Sequence, residues 1–146
     1  MRQPAALLAA CLVTLAATTG AHAGTPTLTA QDAWIRIVPG ANVASAYLTL
    51  RNIGTQPLVI VGVGSRAARA MIHETHVVNG VSSMRMRMRL TLAPGETVRF
   101  TPGGLHIMLE GLSGALKPGD TLPLVLLLEG GASFTVTAHV RALGDT

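Results

Sequence analysis

The chain has 146 residues, of which 49% are hydrophobic, 12% are charged and 3% are aromatic, and its formal net charge is +4. This length supports one domain with a real hydrophobic core but not two sizeable domains. The small charged share and large apolar share exclude a long disordered chain. After Ala23, no uninterrupted apolar run approaches the roughly 20 residues that a membrane-spanning helix needs.

The first 23 residues predict an export signal. They begin with Arg2, continue through an apolar stretch from Ala5 to Ala17, and end in the small residues Ala21-His22-Ala23. This is the layout of a secretory signal peptide that is cleaved after Ala23. We therefore predict a periplasmic protein whose single domain spans residues 24–146.

A competing interpretation of the N-terminus is a lipoprotein. Leu8-Ala9-Ala10-Cys11 resembles a lipoprotein cleavage box, but the apolar stretch before Cys11 is short and continues past it through Leu15. We therefore do not favour lipid anchoring at Cys11. An N-terminal anchor that stays attached would need a longer apolar run.

Cleavage after Ala23 removes the single cysteine and leaves ten of the 11 Lys and Arg residues against 7 acids. A mature chain without cysteine has no disulfide, no catalytic thiolate and no thiolate metal ligand. Its candidate metal-binding side chains are thioethers and imidazoles. They are Met71, Met84, Met86, Met88, Met108, His73, His76, His106 and His139.

The rest of the chain predicts about eight short β-strands separated by Gly and Pro turns, the pattern of an all-β sandwich or Greek-key barrel. Residues 45–52 alternate, with Tyr47 and Thr49 on one face. Asn79-Gly80, between predicted strands 71–78 and 81–92, is a strong hairpin signal. Only residues 66–70 and 112–116 suggest helix.

The acidic residues are few and scattered, and no Ser–His–acid pattern or Gly-rich phosphate loop is evident. We therefore predict a binding protein and not an enzyme. The side chains that do cluster in one segment of the sequence are thioethers and imidazoles. All five methionines of the mature chain, and three of its four histidines, lie between Met71 and Met108.

Because side chains alternate along a strand with a two-residue period, these methionines and histidines can be assigned to strand faces. Met84, Met86 and Met88 project to one face of their strand, and His106 and Met108 share a face of theirs. If Asn79-Gly80 is a two-residue loop, Val78 pairs with Val81.

Counting back from that pair places His73 opposite Met86 and diagonal to Met84, with His76 on the other face. A longer loop would alter this register, so the count does not choose between the two methionines.

Two imidazoles and one or two thioethers are ligands for a soft metal, and thioether sulfur selects Cu(I). Zinc rarely uses methionine, and calcium and magnesium prefer oxygen. The alternative is that a methionine stripe on a strand fills the core, and taken alone Met84, Met86 and Met88 fit packing better. His76 and His139 fit surface or hydrogen-bonded histidines.

The alternating arginines of the same segment have two interpretations. Arg85, Arg87 and Arg89 fit a solvated strand face, or a docking stripe for an acidic partner.

Several motifs together resemble the periplasmic copper chaperones of the PCuAC family. The motifs include His73-Glu74-Thr75, Asn79-Gly80-Val81, Met84-Arg85 and the run from Pro102 to Leu109. The family signature is a His, ten residues, a Met, twenty-one residues and then His-x-Met, and it fits His73, Met84, His106 and Met108 without a gap.

The resemblance covers nearly the whole mature chain and implies a cupredoxin-like β-sandwich. It implies Cu(I) as the bound metal, with His73, Met84, His106 and Met108 as ligands, which selects Met84 over Met86 by analogy. It further implies a role in copper homeostasis. The protein would deliver copper to the binuclear centre of cytochrome c oxidase, often alongside a thioredoxin-like Sco partner.

The chain also departs from the family pattern. Ser82 stands where the family often has a second methionine. Met86 and Met88 follow the ligand position instead, either as reserve thioethers or, as we predict, as core packing. The C-terminus lacks the His- and Met-rich tail of some members. Two rival functions are an exported β-sandwich interaction module without metal, and a copper redox protein. Solvent exposure of the methionines distinguishes ligands from core filler.

Overall fold

The computed structural model describes residues 27–144, and this part of the chain forms ten β-strands and no helix. The all-β class predicted from the sequence is therefore confirmed. The strands are β1 (Leu28–Ile37), β2 (Val43–Asn52), β3 (Leu58–Gly64), β4 (Arg69–Val78), β5 (Val81–Met86), β6 (Leu90–Leu92), β7 (Thr97–Phe100), β8 (Leu105–Glu110), β9 (Thr121–Leu128) and β10 (Ser133–Arg141).

The strands form one hydrogen-bonded path in the order β5-β4-β8-β2-β1-β10-β9-β3-β6, with β7 paired to β2. All pairs are antiparallel except β1 with β10. Strands from both halves of this path contribute to one buried cluster, including Leu50 and Ile107 from one half and Ile60 and Leu126 from the other. The sheet therefore folds over on itself and encloses a single core.

Alternation along the strands builds that core. In β2, Leu48 and Leu50 are buried, while Ser45 and Thr49 point to the opposite, outer face. In β8, Ile107 and Leu109 are fully buried. The core consists mainly of Leu, Val, Ile and Ala, and Phe100 is its one buried phenylalanine among the described residues.

Two local predictions are wrong. Residues 81–92 do not form one strand, because β5 ends at Met86 and β6 begins at Leu90 and pairs with β3 instead of β4. Residues 66–70 and 112–116 are not helical. The Ser113 N–H donates to the Ala67 carbonyl at 2.7 Å, so the backbone groups of these two loops bond across the fold and not along a helix.

The predicted signal peptide, its cleavage after Ala23 and the candidate lipid site Cys11 lie outside the described residues. The domain boundary at residue 24 therefore stays a prediction. The described part of the chain contains no helix long and apolar enough to cross a membrane.

A buried asparagine ties the end of β2 to the neighbouring turns. Asn52 is fully buried, and its Nδ2 donates to the carbonyls of Gln56 at 2.8 Å and Leu92 at 3.0 Å. Its Oδ1 accepts the Gly54 N–H at 2.9 Å. Gly54 must be glycine here, because an added Cβ would lie 2.2 Å from the Thr27 side-chain oxygen.

We expect Asn52→Ala to lower the free energy of unfolding by about 2–4 kcal/mol, because three backbone partners lose their hydrogen bonds in a buried site. Urea denaturation measures the change. The matched control is Arg51→Ala, whose exposed side chain should contribute within about 0.5 kcal/mol. Equal stability of the two variants would contradict this account of Asn52.

Candidate metal site

The β4–β5 hairpin sets the position of the first candidate ligands. Asn79 and Gly80 have φ values of +52° and +78°, as a two-residue type I′ turn requires, and Val78 pairs with Val81. His73 consequently pairs with Met86, which confirms the register counted from the sequence. Met84 pairs with Thr75, one step along the same face.

Strand β8 lies on the other side of β4 and brings the remaining candidates. His73 pairs with His106, and Met71 pairs with Met108. The two imidazole rings are 5.8 Å apart between centroids and nearly perpendicular, at 85°. Paired residues project to the same side of a sheet, so both histidines and both predicted methionine ligands lie on its outer face.

Three of the four predicted ligands line one small cavity of about 140 Å³ on this outer face. His73 is not among its lining residues but lies beside it, with its ring against that of His106. The lining residues are Arg36, Ser45, Tyr47, Thr75, Met84, Gly103, His106 and Met108.

His106 is buried and held in one orientation. Its Nδ1 lies 3.0 Å from the Gly104 carbonyl oxygen, which can only accept, so Nδ1 carries the proton. In the neutral imidazole this tautomer leaves Nε2 with a free lone pair, the form that binds a metal. The same Gly104 carbonyl accepts the Thr75 N–H at 3.2 Å, which anchors this loop to β4.

His73 differs from His106 in its hydrogen bonding. Its Nδ1 is buried and is the only such side-chain nitrogen or oxygen among the described residues without a hydrogen-bond partner. Burial and the neighbouring His106 lower the pKa of His73, an effect that Arg69 adds to and Glu110 opposes. The neutral imidazole is therefore favoured, and an unpartnered buried nitrogen fits a metal ligand.

The methionines of β5 are not core filler. Met84, Met86 and Met88 are 57%, 53% and 70% exposed, so the prediction that Met86 and Met88 pack in the core is wrong. They lie on or just beyond β5, which pairs with β4 alone among the described strands and so forms an edge of the sheet. Met84 lines the cavity, whereas Met86 lies opposite His73 without lining it.

Met71 is not among the ligands predicted from the sequence, although it shares the face of His73 by simple alternation. Its partner in the register is Met108. The Met71 sulfur also lies 3.4 Å from the Arg69 guanidinium, whose other partner is Glu110 at 3.3 Å. Met71 is thus a neighbour of the candidate site whose sulfur already has a polar contact.

The remaining histidines lie elsewhere, as predicted. His76 is on the opposite face of β4, 3.4 Å from Glu74. His139 lies on β10 beside Trp34 in the register and is exposed. Within residues 27–144, no three His, Cys, Asp or Glu side chains group together as a metal site.

The arginines of the β5 segment are exposed, as a solvated face requires. Arg87 and Arg89 are also engaged with acids of the chain itself, Glu74 at 3.3 Å and Glu129 at 2.6 Å. These two cations are therefore already partly neutralised within the domain.

A family model described as "Putative lipoprotein LpqE-like" matches residues 28–140. A protein of Leifsonia xyli subsp. xyli named "Putative lipoprotein Lxx21020" is 30% identical over 113 residues, which cover 76% of this chain and 68% of that protein. The chain belongs to the LpqE-like family.

Solved structures of PCuAC domains and of DR1885 share the fold. The solution structure of CuI-DR1885 from Deinococcus radiodurans has a TM-score of 0.64 and 30% identity, covering 86% of this chain and 85% of that one. The copper-bound PCuAC domain from PmoF2 has a TM-score of 0.65 and 24% identity, covering 80% and 94%. The predicted cupredoxin-like sandwich is therefore confirmed.

The lowered pKa of His73 predicts how the stability of the metal-free protein depends on pH. The unfolded chain takes up this proton first, near the ordinary value of 6.5. The free energy of unfolding should therefore be highest above about pH 6.5 and fall as the pH drops toward the folded-state pKa.

Urea denaturation between pH 7.5 and 5, in the presence of a chelator, measures this decline. His73→Gln removes the titrating group and should flatten it. A decline of the same size in wild type and His73→Gln would assign the effect to other groups.

Proposed function

We propose that this member of the LpqE-like family is an exported carrier of Cu(I). The proposed ligands are His73, Met84, His106 and Met108, which reach one another from β4, β5 and β8. The observation that carries the proposal is their convergence on the outer face, where three of them line a single cavity and the fourth contacts His106.

The chemistry of these donors favours a soft monovalent metal. Thioether sulfur and neutral imidazole carry no charge, and sulfur selects Cu(I) over the harder cations. Two observations on the histidines suit metal binding. The Gly104 carbonyl favours the tautomer of neutral His106 that carries its proton on Nδ1, and burial lowers the pKa of His73. Both conditions lower the cost of binding copper near neutral pH.

Two structural relatives support this assignment. DR1885 is described in a Cu(I)-bound form and the PmoF2 domain in a copper-bound form. The exposure of Met84 also favours a ligand over the metal-free interaction module, in which the methionines would be packed.

The same arrangement suits transfer and not turnover. His106 is buried and oriented by Gly104, so it would hold the metal, whereas Met84 is more than half exposed on the edge strand. A thiolate or thioether of an acceptor could replace Met84 first and the less exposed donors afterwards. Copper is thus the cargo, and the protein would act by ligand exchange without catalysing a reaction.

The proposed acceptor is the binuclear copper centre of cytochrome c oxidase, with a Sco-type protein as a second partner. This part of the proposal depends on the resemblance to the periplasmic copper chaperones, whose four-residue signature the chain fits without a gap. Delivery in an extracytoplasmic compartment also suits a carrier without thiols, which an oxidising environment would convert to disulfides.

Both interpretations of the N-terminus predict export, but they predict different first residues of the mature protein. The family description as a lipoprotein supports Cys11 as a lipid-modified first residue, whereas the signal-peptide layout predicts Gly24. A lipid anchor would tether the carrier to the membrane surface near a membrane-bound acceptor. A cleaved signal would release it.

We expect Met84→Ala and His106→Ala to weaken Cu(I) binding by at least about 10- to 100-fold, because even the loss of an outer-shell partner costs this much in metal sites. Competition with a chromophoric Cu(I) chelator measures the affinity. His139→Ala is the matched control and should bind as wild type does. Equal affinities of all four proteins would refute the site.

Met86→Ala distinguishes the two neighbouring thioethers. If Met84 is the ligand, the loss of Met86 should change the Cu(I) affinity by less than about threefold, because an exposed side chain that does not bind the metal contributes little energy. X-ray absorption of the Cu(I)-loaded protein should show two sulfur and two nitrogen neighbours, with one sulfur lost in Met84→Ala. Retention of both sulfurs in Met84→Ala and loss of one in Met86→Ala would reverse the assignment.

The mass of the N-terminal peptide from the protein expressed in its own host tests the location. Cleavage after Ala23 gives an unmodified N-terminus at Gly24, and this is the outcome we expect from the sequence. A lipid-modified peptide beginning at Cys11, lost in Cys11→Ala, would instead establish the anchored form.

A further inference from the structure

A single arginine forms part of the cavity wall beside the candidate ligands. Arg36 pairs with Ser45 in the register of β1 and β2, and Ser45 pairs with Met108 in that of β2 and β8. These three residues form a cross-strand row on the outer face. Arg36 lines the same cavity as Met84, His106 and Met108.

The guanidinium group is held in place by aromatic side chains. Its Nη2 donates to the Tyr47 hydroxyl at 2.8 Å, and its Cζ lies 5.4 Å from the centre of the Tyr47 ring. Tyr47 is buried and contacts Trp34 at 4.7 Å between ring centroids, and the Arg141 Cζ lies over the Trp34 ring at 5.1 Å from its centroid. This stack gives the Arg36 cation a defined position.

Among the residues that the structure describes, no carboxylate forms an ion pair with Arg36. The ion pairs among residues 27–144 join Arg69 with Glu110, Arg89 with Glu129, and Glu74 with both His76 and Arg87. Glu110, the acid that faces the same side of β8 as Met108, is thus occupied by Arg69. Arg36 is half-buried, so solvent screens its charge less than that of an exposed arginine.

We infer that Arg36 is a specificity-determining residue that makes the cavity select a monovalent over a divalent cation. This inference rests on the proposed Cu(I) site. Imidazoles also accept Cu(II), so the donor atoms alone discriminate incompletely. A fixed positive charge in the wall repels a divalent ion twice as strongly as a monovalent ion at the same position.

Coulomb's law predicts how much the affinities for the two kinds of ion should change. If removing the Arg36 charge strengthens the binding of a monovalent ion by some factor, it strengthens the binding of a divalent ion by the square of that factor. For unit charges about 12 Å apart at an effective dielectric constant of about 20, the factor is about tenfold. The ratio of Cu(II) to Cu(I) affinity should then rise about tenfold.

The test is Arg36→Gln, which keeps a polar side chain and removes the charge. Affinities for Cu(I) and Ag(I) should each rise about tenfold and that for Cu(II) about a hundredfold. The Cu(II)/Cu(I) midpoint potential should fall by about 60 mV, the equivalent of a tenfold change for one electron. Chelator competition and voltammetry measure these quantities on the same protein.

Three further variants distinguish the effect of the Arg36 charge from the effects of its packing, its hydrogen bond and a cation outside the cavity. Arg36→Lys retains the charge, so its selectivity should stay close to that of the wild type. Tyr47→Phe removes the hydrogen bond but leaves the cation and should shift the ratio less than Arg36→Gln. Arg99→Gln removes an exposed cation from the same outer face outside the cavity and should leave the ratio unchanged.

The outcomes distinguish this inference from the proposed function. Wild-type protein that binds neither Cu(I) nor Ag(I) refutes the site itself. Cu(I) binding at the four ligands, with an unchanged affinity ratio in Arg36→Gln, overturns only the inference. Equal shifts in Arg36→Lys and Arg36→Gln would also overturn it, because the packing of the side chain and not its charge would be responsible.

Discussion

The candidate site depends on the hydrogen-bond register of β4 with its two neighbours. The pairing of β4 with β5 and with β8 places His73 between Met86 and His106. Because side chains alternate along a strand, a slip of one residue would turn the ligands of one strand toward the core. The buried Ile72 and Ile107, which form a pair on the opposite face, oppose such a slip.

The two sides of the site differ in how firmly they are held. His106 lies in a strand that is hydrogen-bonded on both sides, and its ring is fixed by the Gly104 carbonyl. Met84 lies in β5, whose six residues are all exposed and whose outer edge pairs with no other described strand. A metal carrier needs one donor that is firmly positioned and one that is accessible, because tight holding and rapid release require different donors.

The charges around the cavity follow a consistent arrangement. Glu110, the acid on the same side of β8 as Met108, has Arg69 as its partner, so the donors that remain available are sulfur and nitrogen. Arg36 adds a positive charge whose position is fixed by Tyr47 and Trp34. Donor chemistry and local charge therefore both disfavour a highly charged metal ion.

Short-range patterns in the sequence were enough to predict several features of the fold and the site. Alternation separated Leu48 and Leu50 from the outer face, and Asn79-Gly80 fixed the hairpin register that pairs His73 with Met86. The spacing that resembles the PCuAC signature identified the candidate ligands. These features depend on strand period and turn chemistry, which are short-range.

Which distant strands are neighbours became known only from the folded structure. The sequence did not show that β8 lies beside β4, that the break after Met86 sends β6 to β3, or that Met86 and Met88 are exposed. It also did not place Arg36 in the cavity wall. These facts depend on non-local pairing, which is set by the packing of the whole core and not by the residues adjacent in the chain.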